Sequence, residues 1–149
     1  MQFTPYLNFD GNCAEAIAFY ARLFGGRIVH QSTFGDLPPQ PGMPPLPDAA
    51  KERILHALLD IGGQTLMASD AMPSAASDTC GGAYRKPQGL WVAVGVDSPT
   101  EGRRIFDALA QGGEVTMPFA PTFFSTGFGM VSDRFGTPWM VNVSESTPT

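Results

Sequence analysis

The sequence predicts an α+β fold: two tandem βαβββ units whose curved, mostly antiparallel sheets enclose a pocket, with one main helix per unit. Three observations carry this. A segment with Leu7, Phe9, Asp10, Phe19, Gly25 and Gly26 returns 87 residues later as Val94, Val96, Asp97, Phe106, Gly112 and Gly113. A second, Leu58, Asp60, Gly63, Met67 and Ala68, returns after only 73 residues as Val131, Asp133, Gly136, Met140 and Val141. The shortfall marks an insertion in the first copy, and residues 36–50 supply it, with six prolines between Leu37 and Asp48. The repeats span about 3–70 and 89–143, and 149 residues suit one domain built from both.

Each copy has the same local grammar. Residues 3–9 carry aromatic and branched side chains at short spacing and stop at Asp10-Gly11, as a strand and a turn do. Asn12 with Glu15 predicts a helix N-terminus with a capping box. Ile17, Tyr20 and Phe24 then mark an apolar face, and Gly25-Gly26 ends the helix. In the second copy Ser98 is the cap, Pro99 the first helical residue and Glu101 the box partner, before Ile105, Phe106, Leu109 and Gly112-Gly113.

A strand follows each helix, over 27–34 and 114–118, and then a hairpin. The first hairpin turns at Ile61-Gly62-Gly63, the second at Arg134-Phe135-Gly136. Asp60 and Asp133 take matching places before these turns and are expected to cap backbone there.

A sheet with a single helix covers one face and leaves the other open. Period-two alternation sends Trp139, Val141 and Val143 under the helix, with Leu66, Ala68, Val92, Val94 and Val96. The open faces then carry Thr4, Tyr6, Asn8, Thr65, Met67 and Ser69 in the first copy, and Trp91, Met140 and Asn142 in the second.

Composition narrows the function. Nine basic residues against fourteen acidic ones, a net charge of −5, argue against nucleic acid, which needs clustered Lys and Arg. No apolar run is long enough to span a membrane and no leader pattern opens the sequence, so the expected location is the cytoplasm. Cys13 and Cys80 stand far apart without CxxC spacing, which suggests neither a zinc site nor a disulfide framework.

The segments AIAFYARLFGG (16–26) and DRFGTPW (133–139), set in paired βαβββ units, resemble the vicinal oxygen chelate superfamily of glyoxalases, bleomycin- and fosfomycin-resistance proteins and dioxygenases. YLNFDGNCAEAIAFY, LHALLDIGGQTLMASD, GGEVTMP and FGMVSDRFGTPWMVN are similar to its phosphonate-operon B protein-like subgroup. That subgroup also carries a demethylubiquinone methyltransferase label, but this sequence has no glycine-rich strand-to-helix loop for a nucleoside cofactor.

The resemblance implies four ligand positions for a divalent metal. Here they fall on Thr4, Pro5 or Tyr6, then on Met67, Trp91 and Met140. Thioethers and an indole do not serve a hard or borderline ion, so no metal and no cofactor is expected. It also implies a homodimer.

The expected function is binding of a small, partly apolar molecule. Tyr6, Asn8, Met67, Ser69, Trp91, Phe124, Phe128, Met140 and Asn142 would contact it, by packing and a few polar anchors. His56 and Asp70 are the candidate catalytic pair for an alternative lyase, isomerase or transferase; a drug- or toxin-sequestering protein is a further alternative. Phe119, Phe123, Phe124 and Phe128, set among Gly, Pro and Ser, form either a lid or a buried loop.

Overall fold

The computed structural model describes residues 1–39, 41–42, 45–72 and 83–144. Cys80 and parts of the proline-rich insertion lie outside the described residues. The chain divides into two compact units, Met1–Arg85 and Lys86–Thr149, one for each repeat. Among the described residues no helix is long and apolar enough to cross a membrane.

The first unit runs β1 (Tyr6–Phe9), α1 (Cys13–Phe24), β2 (Arg27–Thr33), a 3₁₀ turn (Phe34–Asp36), α2 (Asp48–Lys51), β3 (Ile54–Ile61) and β4 (Gln64–Asp70). The second runs β5 (Val92–Val96), α3 (Pro99–Ala110), β6 (Glu114–Ala120), β7 (Phe128–Ser132) and β8 (Pro138–Val143). Each unit forms a four-stranded sheet, ordered β1-β4-β3-β2 and β5-β8-β7-β6. The first strand of each pairs parallel to the last, and the other pairings are antiparallel. The α+β fold of two tandem units is thus as the sequence predicts.

Alternation sorts the two faces as expected. On β8, Trp139, Val141 and Val143 are buried while Pro138, Met140 and Asn142 keep some exposure; on β4, Leu66, Ala68 and Asp70 are buried against Thr65, Met67 and Ser69. Ile17, Tyr20 and Leu23 of α1 and Ile105, Phe106 and Leu109 of α3 supply the covering faces.

The start of α1 differs from expectation. Asn12 makes no side-chain cap; instead the Asp70 carboxylate, reaching across from β4, accepts from the backbone N–H of Gly11 at 2.8 Å and Cys13 at 3.0 Å. Its other oxygen accepts from Ile54 N–H at 2.8 Å, so one buried side chain ties the helix start to the start of β3. A partner supplied by tertiary structure has replaced the local one. In α3 the local cap holds: Ser98 Oγ accepts from Glu101 N–H at 3.2 Å, with Pro99 opening the helix.

The two hairpins differ in length, contrary to expectation. Asp60 faces Thr65 in the first unit, whereas Ser132 faces Pro138 in the second. The second turn is therefore one residue longer, and the true counterpart of Asp60 is Ser132. A one-residue slip reverses a strand's faces. Asp60 stays half-exposed and accepts from Gly63 N–H at 3.1 Å, while Asp133 is buried. The Asp133 carboxylate accepts from Phe135 and Thr137 N–H and, at 2.8 Å, from the Trp139 indole N–H.

The paired glycines after each helix divide their work. Gly25 and Gly112 take left-handed φ of 65° and 70°. Gly26 and Gly113 lie against the backbone carbonyls of Asp60 and Ser132, where a Cβ would collide. That pairing independently confirms Ser132 as the counterpart of Asp60.

The insertion is pinned where it meets the sheet. Phe34, Ala50 and Met72 are buried together, with Leu46 and Leu55 packed against them.

Replacing Asp70 by Ala leaves three buried or part-buried N–H groups without their acceptor. Each such loss costs about 1–3 kcal/mol, so urea denaturation of Asp70→Ala is expected to show a loss of roughly 3–5 kcal/mol. A loss below about 1 kcal/mol would contradict the role given to this carboxylate.

Candidate functional site

The first unit's open face is polar at its centre. Tyr6 on β1 stands beside Met67 on β4, and Asn8 beside Ser69, its Nδ2 3.4 Å from Ser69 Oγ. His56, half-buried on β3, brings Nδ1 to 3.3 Å from the Tyr6 hydroxyl, and the two rings stack with centroids 5.8 Å apart. His30, exposed on β2, continues the row, its ring centroid 6.0 Å from that of His56. Tyr6, Asn8, Met67, Ser69 and His56 therefore share one face. His30 joins them: the sequence places it on the second strand, but the bulge between Ile28 and His30 hides its face from alternation.

Asp70 does not join them. It lies on the helix-covered side, 4% exposed, with both oxygens committed to backbone N–H groups. His56 and Asp70 occupy opposite faces of the sheet and cannot share a proton. Cys13, next to Asp70, is buried as well; burial, and then the Asp70 charge, push its thiol far above the usual range and keep it unreactive.

The second unit's open face is apolar. Corrected for the longer turn, Ala93 stands where Tyr6 does, Phe128 where His56 does and Met117 where His30 does, while Met140 matches Met67. Trp91, 45% exposed, Met117 and Met130 line an open cleft of about 490 Å³, closed on one side by Pro87 to Leu90. Of the expected contact residues only Trp91 lines this cleft. Met140 and Asn142 sit further along the same face; the Asn142 Oδ1 is buried without a hydrogen-bond partner. Met117 was missed because its face depends on strand pairing across the bulges of β6, and Met130 because the β7–β8 turn is one residue longer than its counterpart, which no local pattern reveals.

The aromatic segment divides. Phe119 ends up in the core against Phe106, under the Arg103 guanidinium 4.9 Å from its ring, with Gly102, Gly127 and Gly129 leaving it room. Ser125 pins the loop: its single hydroxyl proton lies within reach of both the Gly127 and the Val143 carbonyl, and its Oγ accepts from Gly127 N–H. Phe123 remains fully exposed; Phe124 is half-exposed and meets the Phe128 ring edge-on at 5.1 Å.

With this geometry in hand, comparison with known proteins is decisive on family. Residues 3–141 match the model of the glyoxalase/bleomycin resistance protein/dioxygenase superfamily. The chain belongs to that superfamily. It is 38% identical over 157 residues to protein YjdN of Escherichia coli K12, covering all of this chain and 99% of that one. Among solved structures it resembles protein PA1353 of Pseudomonas aeruginosa, at TM-score 0.83 and 41% identity, over 98% of this chain and 99% of that chain. It also resembles a protein of Bacillus cereus described as a putative 3-demethylubiquinone-9 3-methyltransferase, PhnB protein, at TM-score 0.73 and 26% identity, over 97% and 100% of the two chains.

At three of the four positions that the family resemblance gives to the glyoxalase-type metal, the residues present do not fit it. Met67 and Met140 offer thioethers, and Trp91 an indole whose nitrogen has no free lone pair. Among the described residues no three His, Cys, Asp or Glu side chains come together to hold an ion.

The aromatic assignments separate by stability. Phe119→Ala is expected to cost about 3–5 kcal/mol and Phe123→Ala less than about 0.5 kcal/mol in chemical denaturation. Equal effects would contradict the division between core and surface rings.

Proposed function

We propose that this superfamily member binds a small, partly apolar molecule on the open sheet faces, without a divalent metal at the positions where glyoxalases hold one. The observation that carries the reading is the exposed, soft and aromatic surface of the second unit. Trp91, Met117 and Met130 border a cleft of about 490 Å³, a size that accommodates a drug-like or metabolite-like ligand. Indole and thioether surface gains by packing against planar or polarizable groups, so the ligand class is aromatic or unsaturated with a few polar atoms. The first unit's open face, taken by itself, offers hydroxyl and amide groups from Tyr6, Asn8 and Ser69.

A second reading, enzymatic acid–base chemistry, is favoured by one contact. The Tyr6 hydroxyl and His56 Nδ1 at 3.3 Å can exchange a proton with a bound carbonyl or alcohol. Asp70 has no part in it; its work is structural. The homodimer belongs to the same proposal, and the edge strands β2, with Ile28 and Val29, and β6, with Val115, expose apolar side chains suited to a second copy.

Two tryptophans make the binding reading measurable, because Trp139 is buried and hydrogen-bonded whereas Trp91 lines the cleft. Titration with a panel of planar aromatic acids and amides is expected to quench or shift tryptophan emission, and Trp91→Phe to abolish the response. A response that persists in Trp91→Phe would place the ligand elsewhere.

A further inference from the structure

We propose that His30 and His56 form a two-imidazole site for a borderline divalent cation, Cu²⁺, Ni²⁺ or Zn²⁺, with Tyr6 as its positioning residue. Neither histidine holds a glyoxalase-type position, although Tyr6 is one of the three residues that compete for the first of them, and the site requires no small-molecule ligand, so it stands independently of the binding reading.

The chain has two histidines, and the fold brings both to one face of one sheet. The β2–β3 pairing sets Ser32 opposite His56 and His30 opposite Leu58, which makes the histidines diagonal cross-strand neighbours. Diagonal side chains of this length reach one another above the sheet. Their ring centroids lie 6.0 Å apart at 37°. Two imidazoles on one ion, with metal–nitrogen bonds of about 2.0–2.1 Å, place their centroids about 5–6 Å apart. His30 is exposed on an edge strand, where a small χ adjustment closes the remaining gap.

Tyr6 supplies what a two-histidine site otherwise lacks. When its oxygen accepts the Nδ1 proton of His56, across the 3.3 Å contact, the Nε2 lone pair is left for the ion. An outer partner of this kind fixes both tautomer and ring orientation in metal-binding histidines. Imidazole donors select copper, nickel and zinc over magnesium and calcium. With two protein ligands, the other coordination positions belong to water or to an oxygen of a bound molecule.

The test uses untagged, chelator-stripped protein titrated with Cu²⁺ and followed by electron paramagnetic resonance, with Ni²⁺ and Zn²⁺ followed by thermal shift. One equivalent of Cu²⁺ with the hyperfine pattern of two imidazole nitrogens is expected. His30→Ala and His56→Gln should each weaken binding at least tenfold, and Tyr6→Phe severalfold. His30→Ala changes an exposed position, so its thermal midpoint should match that of the native chain and separate lost binding from lost folding. Binding left intact in either histidine variant, or no binding at tens of micromolar Cu²⁺, overturns the site. Unchanged affinity in Tyr6→Phe overturns the positioning role.

Discussion

One helix can cover only one face of a four-stranded sheet, and everything else in this molecule follows from that shortage. Strand alternation converts it into a rule for each side chain: apolar residues at one parity go under α1 or α3, and the other parity is left open. The covered faces spend their side chains on burial, as Trp139, Val141, Leu59 and Ala68 do. The open faces are thereby available for Tyr6, His56 and Met67 in one unit and for Trp91, Met117 and Met130 in the other.

The two units answer the same geometric problem with different chemistry. Where the first places Tyr6, His56 and His30, the second places Ala93, Phe128 and Met117. Duplication alone would have given two equivalent faces; divergence has made one rich in hydrogen-bonding groups and one rich in soft apolar surface. Each unit also holds a buried carboxylate, but at different places. Asp70 joins a helix start to β3, whereas Asp133 closes the longer β7–β8 turn and holds the Trp139 indole. Both offset the cost of burial by accepting hydrogen bonds from backbone or indole N–H groups.

Periodicity was enough to read the strands, helices and faces, because parity and helical spacing are local properties of the chain. The Ser98 cap was legible for the same reason. Asn12 looked like a cap and is not one, since Asp70 reaches its helix from 57 residues away in sequence and outcompetes it. The equivalence of Asp60 and Asp133 failed through a single extra turn residue, which leaves the motif intact to the eye while reversing the face. Part of the candidate site was legible on the same grounds: the open-face placement of Tyr6, Asn8, Met67 and Ser69 follows from parity, as does that of Trp91. His30 and Met117 depend on bulged pairing and Met130 on the length of the β7–β8 turn, whereas Asp70 shares the parity of Leu66 and Ala68, so its covered side follows from the same alternation.

The claim at the centre is that the uncovered sheet faces are where the molecule meets its ligand, and the seven methionines offer direct probes of it. Methyl-labelled methionine NMR, recorded while aromatic fragments are added, distinguishes Met67, Met117, Met130 and Met140 on the open faces from Met72 in the core. Shifts concentrated on the first four, with Met72 unmoved, are the expected result. Saturable shifts at Met72 with the open-face methyls silent would mean that ligands enter elsewhere and that the open faces serve another purpose.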